Sequence, residues 1–197
     1  MVRKDIVSSL VIGELCSLFI ILIIESLQLT VPFWQFLPLV LPIVCLLGVF
    51  VAYLIGKKFP VIYQIAKFLL VGIFNTLVDF GVLNFFLIFV FGVTSGALYT
   101  ISKIISFLVA ATNSYFWNKI WTFSHKKASS VAEAGKFFLV TGIGFGINVL
   151  VASFIVNVIG PQFDISAKLW ANLGAFIAAV VVTTWNFLGY KLVVFKE

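Results

Sequence analysis

The sequence predicts an all-α integral membrane protein of about six transmembrane helices, with both termini on the cytoplasmic side. Two observations carry the fold class. Of 197 residues, 62% are hydrophobic and 10% charged, with a mean hydropathy of +1.21; a soluble domain carries about 25% charged residues. The apolar residues also lie in long unbroken runs, each near the ~20 residues one helix needs to cross a bilayer. Hydrocarbon offers the backbone no hydrogen bonds, so a chain spans as helices or as a closed barrel, and a barrel shows short alternating segments instead.

Six runs read as spans: Val7 to Leu27, Phe36 to Ile55, Ala66 to Phe91, Ala97 to Trp117, Phe137 to Ile159 and Ser166 to Leu188. The first follows Arg3 and Lys4 as a signal peptide would, but it is long, carries Glu14 and lacks a small-x-small cleavage site after it. It is therefore expected to stay as an anchor. Orientation follows from the basic residues, because cytoplasmic loops collect lysine and arginine. With the N-terminus inside, Arg3, Lys4, Lys57, Lys58, Lys67, Lys119, Lys126, Lys127, Lys136, Lys191 and Lys196 face the cytoplasm. Lys168 falls in an outer loop and Lys103 within a span. The net charge of +6 is thus a topology signal, with attraction to anionic membrane lipids as its consequence; nucleic acid is not the partner it implies.

The last four spans contain an internal repeat. KFLLVGIFNTLVDFG from Lys67 resembles KFFLVTGIGFGINVL from Lys136, and SYFWNKIWTF from Ser114 resembles NFLGYKLVVF from Asn186. Aligning both ends needs only a three-residue insertion near Pro161. The chain therefore divides into an N-terminal transmembrane hairpin, 1–60, and a four-helix membrane domain, 61–197, whose two-helix repeats cover about 67–125 and 136–196. Units with an even number of crossings enter and leave on one side, so a pseudo-twofold axis along the membrane normal is expected.

Charges inside a span cost about 2.5 to 3.5 kcal/mol at mid-bilayer, so each needs a partner, a wet cavity or a route to the interface. Asp79 lies about 18 Å along the third span from its cytoplasmic end, and Lys103 about 10 Å in from the outer end of the fourth, at ~1.5 Å per residue. In a core about 30 Å thick these depths agree. An Asp79–Lys103 ion pair is therefore expected, and the second repeat carries neutral Asn148 and Ala175 at the matching positions. The alternative is a snorkelling Lys103 beside a protonated or hydroxyl-bonded Asp79. Asn75 lies one turn before Asp79, and Lys103, Ser106, Ala110, Asn113 and Trp117 repeat along the fourth span at helical spacing. Asn172, Ala175, Ala179, Thr183, Asn186 and Tyr190 form a similar line in the last. Such stripes serve either helix packing or a polar groove.

Glu14 and Glu25 share one face of the first span, and no partner for Glu14 is evident. Trp34, Trp117, Trp121, Trp170 and Trp185 lie toward the ends of runs, where aromatic belts are expected. Cys16 and Cys45 sit inside apolar runs as buried hydrophobes, and His125 lacks neighbours that would make a metal site. No cofactor is implied. The glycines of GIGFG, Gly142 to Gly146, suit close helix packing, and Gly142 with Gly146 offers a route to a homodimer. No nucleophile–base pair or paired acids at a common depth emerge, so an enzyme is not expected.

KFLLVGIFNTLVDF from Lys67, NKIWTF from Asn118 and TTWNFLGYKLVVF from Thr183 resemble the GtrA-like family of small bacterial and archaeal membrane proteins, over about Lys67 to Lys196. Here the first two spans are additional, and Lys119 and Lys191 stand where the family often has arginine. The resemblance implies a role in cell-surface polysaccharide glycosylation at the cytoplasmic membrane, moving polyprenyl-phosphate-linked sugars beside a separate glycosyltransferase. Carried over by position, the matching residues are Asn75, Thr76, Asp79, Asn118, Lys119, Asn186 and Lys191. Lys119 and Lys191 close the two repeats at the interface, where a lipid phosphate sits. Asn75, Asp79, Asn113 and Asn186 suit sugar hydrogen bonds in a groove between the repeats. The alternative is a non-transporting subunit that recruits or stabilises a glycosyltransferase; an ion or small-solute carrier is disfavoured by the few ionisable residues within the spans.

Overall fold

A computed structural model describes residues 1–26, 28–92, 96–164 and 166–196, without the side chains of 96, 167–169, 171 and 172. Leu27 and the side chains of Lys168 and Asn172, which figure in the sequence reading, fall outside it. Among the described residues there are six α-helices and no strand: α1 (Arg3–Ser26), α2 (Leu37–Gly56), α3 (Pro60–Asn84), α4 (Gly96–Trp117), α5 (Val131–Ser153) and α6 (Ala167–Gly189). Five stretches, Arg3–Ser26, Trp34–Gly56, Pro60–Val90, Val131–Ile159 and Leu173–Val194, are long and apolar enough to cross a membrane. The remaining helix, α4, has 22 residues, and it is less apolar because it carries the polar face that meets α3.

Two helices begin well before their apolar runs do. The sequence places the starts at Ala66 and Phe137, whereas α3 begins at Pro60 and α5 at Val131. Hydropathy marks the hydrocarbon stretch, but a helix stops only where its backbone is stopped or capped. Pro60 fits the first turn because its missing N–H needs no partner there. Ser130 caps α5 by accepting from the Glu133 N–H at 3.1 Å.

Each of the last four helices runs into a π-helical turn: Phe85–Val90 after α3, Asn118–Thr122 after α4, Phe154–Ile159 after α5 and Tyr190–Val194 after α6. The turns follow the register of the sequence halves. Phe85 and Phe154 are as far apart in the chain as Lys67 and Lys136, and Asn118 and Tyr190 as far apart as Ser114 and Asn186.

The chain forms two compact units, Met1–Ser124 and His125–Glu197, so the N-terminal hairpin packs with α3 and α4. The core of the first unit joins Ile12, Cys16, Val49, Val71, Phe74, Val78, Ala110 and Trp121. Gly13 lets α1 meet α2 at backbone distance: a Cβ there would stand 2.5 Å from Pro42 Cα and 2.9 Å from the Leu41 carbonyl oxygen. In the second unit, Phe137 is fully buried and stacks on Tyr190 with ring centroids 4.4 Å apart. Tyr190 and Thr141 share a hydroxyl hydrogen bond of 2.8 Å.

Burial is inverted relative to a water-soluble protein. Ser9, Ser17, Ser102, Ser106 and Asn118 are sealed, while Leu39, Leu139, Phe145 and Leu150 are exposed. Small and polar residues between helices with apolar residues outside are the pattern of a chain solvated by lipid tails. Three of the tryptophans direct their indole N–H to partners within the protein. Trp121 is fully buried and its indole N–H goes to Asp5; Trp170 donates to the Ile155 carbonyl at 2.9 Å and Trp185 to the Val140 carbonyl at 3.0 Å. A tryptophan near a helix end serves the lipid boundary or the interior according to the face it occupies.

Candidate functional site

In the first unit, α3 and α4 are joined by a polar ladder. Lys103 Nζ stands 2.5 Å from Asp79 Oδ2, which places the expected ion pair between adjacent helices. The other carboxylate oxygen accepts from Ser106 Oγ at 2.6 Å. Farther along, Asn113 Nδ2 donates to Asn75 Oδ1 at 2.6 Å. Helical spacing explains the alignment: Asn75 and Asp79 are one turn apart on α3, while Lys103, Ser106 and Asn113 follow one stripe of α4. The Asp79 side chain is 24% exposed and that of Lys103 42%, so the pair is open on the ammonium side.

Thr76 stands outside the ladder; it is exposed and its hydroxyl donates to the Gly72 carbonyl of its own helix at 3.1 Å. Asn118 and Lys119 lie beyond α4, in the π turn. Asn118 is 1% exposed, and its amide donates to the Ser114 carbonyl at 2.9 Å. Lys119 is buried, its ammonium 5.7 Å from the Tyr115 ring centroid. In the second unit Lys191 lies 5.7 Å from the Phe187 ring in the same relation, but it is only half-buried. Of the two lysines carried over as phosphate ligands, only Lys191 is therefore presented at the surface. Asn186 packs on α5, where a Gly144 Cβ would come within 2.6 Å of its Oδ1.

The second unit lacks the ladder. Gly144, Asn148, Ala175 and Ala178 stand at the positions of Asn75, Asp79, Lys103 and Ser106 in the sequence register, and Ala178 is fully buried. Within GIGFG it is Gly144 that makes the close helix approach, whereas Gly142 and Gly146 have nothing within 4 Å of a built Cβ.

Residues 67–195, which hold this ladder and both lysine-bearing turns, match the family model of the GtrA/DPMS transmembrane domain. The chain belongs to this family. It is 33% identical over 136 residues, 69% of this chain and 82% of the relative, to the uncharacterized membrane protein YngA of Bacillus subtilis strain 168. No solved structure matches the chain.

The GtrA/DPMS domain begins at Lys67, and the residue that neutralises Lys67 lies outside the domain. Asp5 of α1 takes its ammonium at 2.5 Å, and the Tyr63 ring lies 4.2 Å from it. Trp121 in the π turn donates to the same Asp5 oxygen at 3.0 Å, and Lys4 Nζ binds the Ile120 carbonyl. The additional hairpin is thereby fastened to the turn that carries Lys119. The sequence signal was one acid, Asp5, amid basic residues at the expected inner face. A second contact missed in the sequence joins His125 Nε2 to Glu133 Oε2 at 3.3 Å, with the imidazole 5.8 Å from the Phe195 ring. Among the described residues no cluster of three metal-ligating side chains occurs. Glu14 is half-buried, on a shallow groove lined by Leu10, Pro38 and Pro42.

Proposed function

We propose that this member of the GtrA/DPMS family moves a polyprenyl-phosphate-linked sugar across the cell membrane for cell-surface polysaccharide glycosylation, and that it is a carrier and not an enzyme. The observation that carries the reading is the polar ladder of α3 and α4 inside a chain otherwise built for lipid. A phosphate and a sugar crossing hydrocarbon need hydrogen-bonding and charged groups in place of water. Asn75 and Asn113 supply amide groups suited to sugar hydroxyls, and Asp79 with Lys103 brings opposite charges that cancel, so the path carries no net negative charge against an anionic headgroup. The isoprenoid chain meanwhile needs only the lipid.

Lys191, half-buried at the end of its unit, suits first contact with the lipid phosphate. Lys119 would have to leave its buried seat to do the same. A second reading, a subunit that recruits or stabilises a glycosyltransferase, draws on the hairpin α1–α2, which lies outside the matched stretch and presents an apolar outer surface to other helices. Purified protein in sealed vesicles loaded with labelled polyprenyl-phosphate sugar separates the two. Transbilayer movement by the protein alone supports the carrier; movement only with a transferase, or none, rejects it.

A further inference from the structure

Lys67 and Lys103 each lie seven residues inside their helices, α3 and α4, and each meets one acid; Lys67 is sealed against Asp5, whereas the Lys103 side chain is 42% exposed. An ammonium held there needs a permanent anion, and Asp79 provides one. The geometry holds that carboxylate in two ways. Oδ2 meets Lys103 at 2.5 Å, while Oδ1 accepts from Ser106 at 2.6 Å. Asp79 therefore keeps a partner and its orientation when Lys103 turns away. Lys103 is the more adaptable member, with a long flexible stem and three donors, of which Asp79 occupies one; its side chain is 42% exposed, so the protein leaves room for a second anion at the ammonium.

A helix hairpin of this family also folds without the pair. In the second unit Asn148 and Ala175 occupy the two positions, and α5 and α6 pack through Gly144 and Gly189 instead. The charges of the first unit are thus not what holds such a hairpin together. Buried ion pairs are in any case poor sources of stability compared with apolar packing.

We infer that Lys103 is a binding site for the phosphate ester of the lipid substrate, with Asp79 as the counter-ion that occupies it at rest and yields it on arrival. This rests on the carrier reading and assigns to Lys103 the substrate's anionic group. An empty path is then internally neutralised, and a phosphate ester, which carries negative charge on several oxygens, replaces one carboxylate oxygen at the ammonium. Uncharged lipids have nothing to exchange with Asp79.

The test is binding of geranyl phosphate to the purified full-length protein in lipid nanodiscs, with geraniol and inorganic phosphate as comparisons. The variants are Lys103→Gln, Asp79→Asn and the double variant, each checked by thermal unfolding. Lys103→Gln is expected to weaken binding about tenfold, the scale of one charged hydrogen bond, and Asp79→Asn to tighten it by removing the competitor. Opposite signs distinguish exchange from a structural pair, whose two halves lose binding together. The double variant carries no unpaired charge, and it should fold and bind as weakly as Lys103→Gln. Unchanged binding in Lys103→Gln or in the folded double variant overturns the inference, as does equal affinity for inorganic phosphate. If wild-type protein moves the labelled lipid-linked sugar in vesicles while Lys103→Gln binds geranyl phosphate normally, the inference fails and the carrier reading stands. If the wild type neither binds nor moves its substrate, the carrier reading itself fails.

Discussion

Asp5 of α1 and Lys67 of α3 meet at 2.5 Å with side chains 4% and 11% exposed, closing the N-terminal hairpin onto the first residue of the GtrA/DPMS domain. Trp121 donates to the same carboxylate, so one acid holds two elements of the first unit. Asp5→Ala strands an ammonium among Tyr63 and Trp121. Removing one partner of a buried pair costs about 3 to 5 kcal/mol, and the remaining Tyr63 contact at 4.2 Å favours the low end, about 3 kcal/mol. Thermal unfolding in detergent should show the loss, and Asp5→Leu combined with Lys67→Met should recover most of it. An unshifted midpoint for Asp5→Ala would mean the hairpin is not fastened there.

Gly144 and its neighbours separate packing from open surface. A Cβ at Gly144 meets Asn186 Oδ1 at 2.6 Å and Val182 Cγ2 at 3.0 Å, so Gly144→Ala should cost about 1 to 3 kcal/mol through overpacking. Gly142→Ala and Gly146→Ala meet nothing within 4 Å and should gain up to about 1 kcal/mol of helix propensity. Unfolding midpoints compare the three. If alanine at Gly142 or Gly146 instead disrupts a crosslinkable dimer, those glycines serve the association the sequence suggests.

The two lysines of the π turns should part company. Lys119 is 5% exposed, so Lys119→Gln leaves a shorter side chain in a fitted seat and lowers the unfolding midpoint. Lys191 is only half-buried, so Lys191→Gln should leave the midpoint within about 0.5 kcal/mol of wild type while slowing uptake of lipid-linked sugar into the path. Equal unfolding shifts would remove the distinction.

How far these features were legible depended on whether physics demanded a partner. Asp79 and Lys103 were readable because each is a charge inside an apolar run, and matched depth left each as the natural answer to the other. Asp5 and Lys67 lie at the ends of their apolar runs, where water or headgroups satisfy a charge, so nothing in the sequence required them to meet. The orientations of Trp121 and Lys119 were not legible for a related reason: their distance along the span is fixed by counting, but which way they face depends on the wider backbone of the π turn Asn118–Thr122, which composition does not encode. The same blindness shortened α3 and α5, because Pro60 and Ser130 end helices by backbone chemistry beyond the reach of hydropathy.

Asn75 and Asn113 give the ladder its last test, because they are its uncharged rung. Their 2.6 Å hydrogen bond links α3 to α4 without any charge for a phosphate to seek. Asn75→Leu leaves Asn113 Nδ2 without its acceptor, and a lost hydrogen bond of this kind costs about 1 to 3 kcal/mol. Replacing both residues with leucine removes the orphan and should restore stability. In vesicles the double variant should carry lipid-linked sugar at about a tenth of the wild-type rate or less, the scale of one or two lost sugar hydrogen bonds, while geranyl phosphate binding is unchanged. Loss of both would place the phosphate, not the sugar, beside Asn75 and Asn113.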